Sequence, residues 1–286
     1  LFERLMDEVG TYLLTMSLWG WGEPLLHPQL ADILKIANDR GINTLVSTNG
    51  YHLSNDNVLK VLIDFPPTYL IVALDGITDE TNRHFRVGAK LDPALYGVRE
   101  LSRMKKERSQ THPILHMRYI VMKHNEHELP ELEHFASRHH FDILTIRTLS
   151  LIDAPDTQHN IMKPTDERFQ AYKYSNHQRV KRKDFVCQGA FIYPTIFADG
   201  TVCACDQDYN ATQPYGKLSP NTTFADIWWG QRAARIRKMI RENLDHFTFC
   251  RNCPYRDRTV HTCSVKYYDL QETSPLSHFS KNQNTP

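Results

Sequence analysis

The chain of 286 residues is 41% hydrophobic and 23% charged, which is ordinary for a globular protein with one large core, or with a core and a small satellite domain. Its 34 Lys and Arg nearly balance its 33 Asp and Glu, and the formal net charge of +1 gives no electrostatic argument for a nucleic-acid partner. The longest apolar stretch, residues 12–21, is too short to span a bilayer and follows no basic segment. We therefore expect no membrane span, no secretory signal and a cytoplasmic location.

The first 149 residues alternate between short apolar runs and stretches with helical periodicity. Apolar residues at positions 1, 2, 5, 6 and 9 predict an N-terminal helix. Further on, the sequence predicts strands at 13–19, 42–46, 69–74, 114–122 and 143–148, and helices at 28–40, 55–63, 92–108 and 127–139. Strand–helix alternation at this spacing indicates parallel strands joined by crossover helices, in a barrel or in an open doubly wound sheet.

Polar and glycine-rich segments follow the first four predicted strands. They read Gly20-Trp21-Gly22-Glu23-Pro24, Ser47-Thr48-Asn49-Gly50, Asp75-Gly76 and Lys123-His124-Asn125-Glu126. Each of them alone could be a simple turn. In a parallel barrel, however, the carboxyl ends of all strands lie on one face, where ligands bind. Four such segments in series predict a binding site on that face.

The pattern becomes polar and loses its period from residue 150 to residue 186. We interpret this stretch as a linker with a helix near 166–174, and its basic run 179–183 as solvated. Beyond it, a hairpin turned by Asp199-Gly200 is expected from 191–197 and 201–204, followed by a helix over 224–243 with Thr223 as its N-cap. The final residues, 266–286, are rich in Ser, Asn, Gln and Pro, and we expect a disordered tail there.

All six cysteines lie in the last hundred residues, at 187, 203, 205, 250, 253 and 263. The pair Cys250-Arg251-Asn252-Cys253 can place two thiolates on one metal centre, and cysteines from a distant segment can complete a four-thiolate site. Without an export signal, this pattern favours metal over disulfides, which would need an oxidising compartment. The spacing alone does not separate zinc from iron–sulfur.

Together these residues resemble the radical S-adenosylmethionine (SAM) enzymes that carry a C-terminal SPASM or twitch-type iron–sulfur domain. The resemblance covers residues 1 to about 263. It implies an α/β protein: a partial (β/α)6 TIM-like barrel missing its first strand at 1–149, the linker at 150–186, and a small α+β cysteine-rich SPASM/twitch-type domain at 187–265.

The segment Trp21-Gly22-Glu23-Pro24 resembles the family's Gly-Gly-Glu-Pro motif, with Trp21 in place of the first glycine. In the family this loop holds the methionyl amino group of SAM through backbone carbonyls and the Glu carboxylate. An ammonium group needs acceptors only, and glycine lets the backbone approach closely.

The next two loops also resemble parts of the family's SAM site. Ser47 and Asn49 lie in a segment similar to the family's Thr-Asn-Gly, which contributes to the cofactor pocket, and Asp75 matches a position whose polar side chain contacts the ribose. Arg118, on the following strand, could pair with the methionyl carboxylate of SAM. A structural salt bridge is the alternative for Arg118.

The cysteine region is similar to the SPASM pattern in order and spacing, since twelve residues separate Cys187 from Gly200 and four more precede Cys205. By resemblance, one auxiliary [4Fe–4S] cluster is ligated by Cys187, Cys205, Cys250 and Cys253. Only Cys263 follows, so no second auxiliary cluster is expected. Cys203, two residues before Cys205 on a strand, points the same way; it could substitute as a ligand, or it is a small buried hydrophobe.

The family's catalytic cluster is held by Cys-x3-Cys-x2-Cys, whereas no cysteine here precedes Cys187. The expectation is a chain truncated at its N-terminus, with a degenerate, non-catalytic member as the alternative. In both cases this chain alone is expected to be inactive, and the SAM-binding [4Fe–4S] cluster is expected only in the intact parent protein.

For the parent protein, the resemblance implies an oxidoreductase or maturase in which a SAM-derived 5′-deoxyadenosyl radical abstracts hydrogen from a substrate, with a peptide or protein as the leading guess. An electron donor of the flavodoxin or ferredoxin type is implied as a partner. Two alternatives stay open: a zinc-stabilised binding module, and a non-catalytic remnant that carries one auxiliary cluster.

Overall fold

The computed structural model describes residues 1–150, 162–175, 178–182, 184–251, 253–258 and 264–271. The described residues form two compact units. One consists of residues 1–13 and the described part of 172–258, and is called the cysteine unit below. The other consists of 14–150, 162–171 and 264–271, and is called the sheet unit.

The sheet unit is built on a six-stranded sheet. Its strands are β1 (Thr15–Ser17), β2 (Asn43–Thr48), β3 (Tyr69–Ala73), β4 (Ile114–Val121), β5 (Ile143–Thr148) and β11 (Ser264–Asp269). They lie in the order β1-β2-β3-β4-β5-β11, with β1 to β5 parallel and β11 antiparallel to β5. Because β1 to β5 run parallel, the carboxyl ends of all five strands lie along the same edge of the sheet.

Helices connect the parallel strands, as the alternating periodicity predicts. They are α2 (Leu30–Asp39), α3 (Asp56–Asp64), α4 (Asp79–Phe85), α5 (Leu91–Glu107) and α6 (Leu132–Arg138). The Asn55 side chain accepts from the amide of Asn57 and starts α3, and the Thr78 hydroxyl accepts from the amide of Thr81 and starts α4. Apolar side chains of α2, α3 and α5, among them Leu34, Leu62 and Leu101, are fully buried against the sheet.

Strand β4 shows which face of the sheet is open. Its residues alternate between fully buried positions such as Met117, which lie in the apolar core, and partly buried positions such as His116 and Arg118. The strand registers place Ala73 of β3 and Thr145 of β5 beside Arg118. Side chains on one face of a strand recur every second residue, so these positions form one face of the sheet, called the inner face below.

Two glycines allow the chain to turn sharply after strands β2 and β3. Gly50 has φ of 82°, and a Cβ atom there would lie 2.4 Å from Ala94 Cβ. A Cβ atom on Gly76 would lie 2.2 Å from the backbone nitrogen of Asn82. The close approach of α5 to Gly50 and of α4 to Gly76 therefore depends on the missing side chains.

The cysteine unit contains short elements. Its strands are β6 (Tyr174–Ser175), β7 (Gln178–Arg179), β8 (Thr195–Ile196), β9 (Thr201–Cys203) and β10 (Gly216–Lys217), and its helices are α1 (Phe2–Val9), α7 (Gly189–Ile192), α8 (Phe224–Trp228), α9 (Gln231–Glu242) and α10 (Thr248–Arg251). Strands β6 and β7 form an antiparallel pair, and β10, β9 and β8 form a three-stranded antiparallel sheet in that order.

Several predicted elements differ from the observed ones. The helix expected at 224–243 is divided at Trp229 and Gly230 into α8 and α9, although Thr223 is the N-cap of α8, as predicted, in a capping box with Asp226. The helix expected near 166–174 is only the short 3-10 turn Glu167–Phe169. Residues 191–197 do not form one strand, because α7 ends at Ile192 and only Thr195–Ile196 pairs with β9.

The two ends of the chain also differ from expectation. Helix α1 belongs to the cysteine unit, where the Glu8 carboxylate accepts from the amides of Phe224 (2.9 Å) and Ala225 (2.7 Å) at the start of α8. The tail expected to be disordered from residue 266 begins with the paired strand β11, which ends at Asp269. Residues 272–286 lie outside the described part of the chain.

The basic run at 179–183 is not simply solvated. Lys181 Nζ lies 2.9 Å from Oδ2 of the buried Asp257 and donates a hydrogen bond to the carbonyl of Arg251. The guanidinium of Arg179 lies 3.9 Å from the same Asp257 oxygen and 4.6 Å from the centre of the Tyr172 ring. An interior carboxylate requires such partners, which is why Arg179 and Lys181 lie close to Asp257.

Candidate functional site

The Glu23 carboxylate joins two of the predicted loops at the edge of the sheet. One oxygen accepts from the amide of Leu25 at 3.1 Å and the other from the amide of Asn49 at 2.9 Å. The first bond caps the 3-10 turn Pro24–Leu26. The structure thus brings the segment 21–24 together with the segment that follows β2, as expected for two loops of one site. Trp21 is 62% exposed beside them.

The segment after β2 is shaped by its own side chains. Thr48 Oγ1 accepts from the amide of Gly50 at 3.0 Å, and Asn49 Oδ1 accepts from the amide of Tyr51 at 2.9 Å. Both are local side-chain-to-backbone bonds of the kind that stabilise turns. The Asn49 side-chain oxygen is therefore engaged in holding the loop.

Arg118 and Ser47 lie on the inner face of the sheet and are hydrogen bonded. Arg118 Nη2 donates to Ser47 Oγ at 2.8 Å. Within the described part of the chain, the buried Nε of Arg118 has no hydrogen-bond partner. Burial lowers the pKa of Arg118, the Asp75 carboxylate opposes this shift, and Arg86 adds to it. A guanidinium with an unsatisfied buried donor is suited to receive an anionic ligand.

Asp75 is completely buried, and its carboxylate is engaged on both oxygens. Oδ1 accepts from the amide of Ile120 at 2.9 Å, and Oδ2 lies 2.6 Å from Arg86 Nη2. The role that sequence reasoning gave to Asp75, a contact to the SAM ribose, stays a prediction. The side chain itself ties the loop after β3 to strand β4.

Sequence reasoning missed the residues that hold Asp75 in place. Arg86 pairs with the carboxylate, Asn82 Oδ1 accepts from the Asp75 amide at 3.0 Å, and Asn125 Nδ2 donates to the Asp75 carbonyl at 2.9 Å. Asn125 belongs to one of the four polar segments that follow the strands, so the sequence pattern could have indicated that it lies near Asp75. Arg86 and Asn82 lie on or beside α4, a helix that the apolar pattern did not reveal.

A histidine lies deeper on the inner face. His116 accepts from or donates to Thr145 Oγ1 at 2.8 Å, depending on its tautomer. Burial, followed by the positive charges of Arg118 and Arg147, lowers the pKa of His116 to about 3. The imidazole is therefore neutral at physiological pH.

The cysteine unit brings four thiols from two distant segments into electrostatic contact. Burial raises the pKa of Cys205 to about 12. A hydrogen bond from the Gln207 amide lowers this pKa, and the charges of Asp206, Cys253 and Cys187 raise it by smaller amounts. Burial also raises the pKa of Cys250, and Cys205, Cys187 and Cys253 raise it further. Four thiolates this close repel one another unless a cationic centre lies between them.

The arrangement of these thiols bears on which metal they fit. Among the described residues, no group of three or more Cys, His, Asp or Glu side chains is arranged to hold a single metal ion. A zinc ion holds each sulfur at about 2.3 Å. A [4Fe–4S] cube binds each cysteine through a different iron, so it spaces the sulfurs more widely. The distances between the four sulfurs therefore distinguish the two kinds of site.

Backbone amides support two of the four thiols. The Cys205 sulfur accepts from the amide of Gln207, and the Cys253 sulfur accepts from the amides of Tyr255 and Arg256. Hydrogen bonds to ligating sulfurs orient the ligands and tune the potential of iron–sulfur clusters.

Two protein families match different parts of the chain. Residues 2–136 match the radical SAM superfamily, and residues 187–254 match SPASM, described as an iron–sulfur cluster-binding domain. The chain therefore carries a radical SAM domain and a SPASM domain. The family's cofactors are accordingly SAM and [4Fe–4S] clusters.

Two curated proteins are similar to parts of this radical SAM chain. A tungsten-containing aldehyde ferredoxin oxidoreductase cofactor-modifying protein of Pyrococcus furiosus is 24% identical over 155 residues, which are 52% of this chain and 42% of that protein. An Fe-coproporphyrin III synthase of Methanosarcina barkeri is 31% identical over 97 residues, 34% of this chain and 24% of that protein. The chain thus covers less than half the length of either relative.

Solved structures share the fold. Streptococcus suis SuiB bound to S-adenosylmethionine matches with a TM-score of 0.60 at 14% identity, over 88% of this chain and 64% of SuiB. SuiB bound to its precursor peptide SuiA matches with a TM-score of 0.58 at 13% identity, over 88% of this chain and 63% of SuiB. BtrN in complex with AdoMet and 2-DOIA matches with a TM-score of 0.52 at 16% identity, over 94% and 84% of the two chains. The predicted partial TIM-like fold with a small SPASM domain is confirmed.

Cys203 differs from the four thiols of this SPASM domain. It is fully buried at the end of β9, and burial together with the Asp208 and Asp199 carboxylates raises its pKa to about 12. No other cysteine contributes to that shift, in contrast to Cys205 and Cys250. This environment suits a small buried residue rather than a substitute ligand. Cys263 lies outside the described residues.

Two further observations concern disulfide bonds and membrane-spanning helices. The five described cysteines are not joined by disulfides. Among the described helices, none combines the length and apolar character that crossing a membrane requires.

Proposed function

We propose that this protein is a radical SAM/SPASM-type oxidoreductase or maturase that abstracts hydrogen from a peptide or protein substrate. The observation that carries the proposal is the electrostatic interaction among Cys187, Cys205, Cys250 and Cys253, which follow the order and spacing of a SPASM domain. The same chain carries SAM-type loops in its sheet unit. When bound, SAM and its [4Fe–4S] cluster supply the 5′-deoxyadenosyl radical that takes the hydrogen atom.

The loop 21–24 would hold the methionyl amino group of SAM. The Glu23 carboxylate accepts two amide hydrogen bonds, and a carboxylate offers about four acceptor positions, so it retains capacity for an ammonium donor. Trp21 and Gly22 are exposed, and Pro24 begins the 3-10 turn that follows them. Ser47 and Asn49 line the adjacent loop.

Arg118 would bind the methionyl carboxylate. Its guanidinium is oriented by Ser47, and its buried Nε lacks a partner among the described residues, so an incoming carboxylate would satisfy a donor that is otherwise costly to bury. The alternative, a structural salt bridge, is supported less well, because Asp75 is paired with Arg86 at 2.6 Å.

Asp75 would act as a positioning residue for this site. Its carboxylate fixes the Ile120 amide and Arg86, and its own backbone is held by Asn82 and Asn125. A contact between a ribose hydroxyl of SAM and Asp75 would use the acceptor capacity that the carboxylate retains beyond Ile120 and Arg86.

The auxiliary [4Fe–4S] cluster would be ligated by all four cysteines, which leaves no iron open to substrate and favours an electron-relay role. The substrate class, a peptide or protein, is supported by the fold shared with SuiB, which has been solved with its precursor peptide. A flavodoxin- or ferredoxin-type protein would supply electrons. No cysteine of this sequence precedes Cys187, so none of its residues matches the family's Cys-x3-Cys-x2-Cys ligand pattern for the catalytic cluster.

Anaerobic reconstitution of the purified chain with iron and sulfide tests the proposal. We expect a brown protein that retains about four irons and four sulfides per chain after gel filtration. A colourless protein that retains one zinc ion and no iron would establish the zinc-stabilised binding module instead.

A further inference from the structure

Helix α9 carries an unusual concentration of positive charge. Its twelve residues, Gln231–Glu242, include five basic side chains and one acidic one, in a chain whose formal net charge is only +1. Arg232, Arg235, Lys238 and Arg241 are exposed. Lys238 Nζ lies 3.7 Å from Glu242, so most of this charge has no nearby acid on its own helix.

A groove runs along α9 and is lined mostly by aromatic and basic side chains, together with Ala234 and the acidic Glu242. Phe191 and Trp229 flank it, and Arg237, Lys238 and Arg241 contribute from the helix. Trp229 is 77% exposed, and the Arg241 guanidinium lies 5.0 Å from the centre of the Phe191 ring. Exposed Trp and Arg side chains that lie together are enriched at the centres of protein interfaces.

The bottom of this groove contacts residues beside the cluster ligands. The Arg237 guanidinium stacks 3.9 Å from the Trp228 ring centre and 5.0 Å from the Tyr215 ring centre. Arg237 Nε and the Tyr215 hydroxyl both donate to the carbonyl of Ala190, each at 3.0 Å. Ala190 follows Gly189, at which a Cβ atom would lie 3.9 Å from the Cβ atom of Cys205.

We propose that this groove, formed by Phe191, Trp229 and the basic face of α9, is the docking surface for an acidic electron-transfer protein that exchanges electrons with the auxiliary cluster. The inference rests on the proposed function, because it requires a cluster at the four cysteines. In the transfer, the reduced cofactor of the partner loses one electron and the oxidised cluster gains it, with no bond formed or broken.

Two features favour a redox protein over another polyanion. A single basic helix with an aromatic anchor matches the small interfaces of electron-transfer encounters, which bury less than about 1,200 Å². Arg237, at the bottom of the groove, also links this surface to Ala190 and Tyr215 beside the cysteines. Electron transfer requires such proximity to the cluster, whereas binding of a nucleic acid or an acidic peptide does not. Complementary charge would steer the encounter and make it sensitive to salt.

The test measures binding of an acidic flavodoxin to the reconstituted 286-residue chain by biolayer interferometry at a series of salt concentrations. The triple variant Arg235→Glu/Lys238→Glu/Arg241→Glu is expected to weaken binding at least about tenfold at low salt and to flatten its salt dependence. Trp229→Ala is expected to weaken binding about tenfold. The matched control, Lys60→Glu/Lys90→Glu/Lys106→Glu, changes the net charge equally on exposed residues of the sheet unit and is expected to have less than about a twofold effect.

A second readout separates docking from the cluster itself. Reduction of the auxiliary cluster is followed by electron paramagnetic resonance, with reduced flavodoxin or with dithionite as reductant. The triple variant should be reduced normally by dithionite and at least about tenfold more slowly by flavodoxin.

The outcomes distinguish the two proposals. If the wild-type chain retains no iron, the proposed function fails. If the chain retains its cluster but the triple variant and the control bind flavodoxin alike, only the docking surface is refuted. The redox assignment is also overturned if wild-type chain binds an RNA oligonucleotide or a poly-glutamate peptide more tightly than flavodoxin at equal salt.

Discussion

Arg118 on β4 reaches over β3 to Ser47 on β2, where its Nη2 donates to the serine hydroxyl at 2.8 Å. The residue of β3 that lies directly beside Arg118 is Ala73, whose short side chain allows the guanidinium to cross. Three strands therefore cooperate to orient one charged group on the inner face of the sheet.

Replacing Arg118 should weaken SAM binding. Arg118→Ala is expected to lower the affinity for SAM about tenfold or more, because a hydrogen bond to a charged group contributes about 1.5–3 kcal/mol. Arg118→Lys keeps the charge but loses the planar fork, so an intermediate loss is expected. Equilibrium dialysis with radiolabelled SAM measures both. Ser47→Ala, which removes only the orienting bond, should lose less, and an unchanged affinity in Arg118→Ala contradicts the assignment.

Glu23 should rigidify the two loops that it joins. In Glu23→Gln only one side-chain oxygen remains, so the amide of Leu25 or of Asn49 loses its acceptor. We expect a loss of about 1 kcal/mol in the free energy of unfolding and faster hydrogen exchange at these two amides. Exchange at the amides in the middle of α3 is the internal control and should not change. Equal acceleration there would point to general destabilisation instead.

The cysteines should separate into ligands and a packing residue. Cys250→Ala or Cys253→Ala should abolish cluster retention and lower the thermal stability of the reconstituted chain, because cluster binding and folding are coupled. Cys203→Ala is the matched control, since it removes a thiol two residues from Cys205, and it should retain iron. Iron and sulfide analysis after gel filtration measures the difference. Full iron content in both the Cys250 and Cys253 variants would refute the ligand set.

His116 should make stability depend on pH under acidic conditions. Burial and two arginines lower its pKa from 6.5 to about 3, so the unfolded chain binds a proton that the folded chain refuses. The contribution of the neutral form is present above pH 6.5 and is lost as pH falls from 6.5 towards 3, with a slope of up to about 1.4 kcal/mol per pH unit. Urea unfolding at several pH values measures this slope. His116→Gln should have a shallower slope over that range, and an identical slope would show that other groups cause it.

The chain by itself should not cleave SAM. No cysteine precedes Cys187, so the family's three-cysteine ligand pattern for the catalytic cluster is missing from this polypeptide. Incubation of the reconstituted chain with SAM and dithionite should yield no 5′-deoxyadenosine above the level of a control without protein. Formation of that product would mean that other residues can hold the catalytic cluster.

Strand positions on the sheet could be predicted because apolar residues recur locally. The strand expected at 143–148 is observed as Ile143–Thr148, and the others differ by a few residues at their ends. Helix α4 was missed because its sequence, DETNRHF, has little apolar periodicity, and its one buried residue is the polar Asn82. That helix is held by Thr78 at its start and by the bond from the Asp75 amide to Asn82 rather than by an apolar face.

The sequence by itself determined the cysteine spacing, the order of strands and helices, and the polar segments that follow the strands. These depend on neighbours in the chain, and local periodicity and turn chemistry are sufficient to reveal them. Only the tertiary structure decided that Asp75 forms an ion pair with Arg86 and that Arg118 donates a hydrogen bond to Ser47. It also decided that Cys203 interacts with Asp208 rather than with the other thiols. Each of these depends on which distant side chains pack together and exclude water. Burial and charge pairing are properties of the folded chain, and no local pattern encodes them.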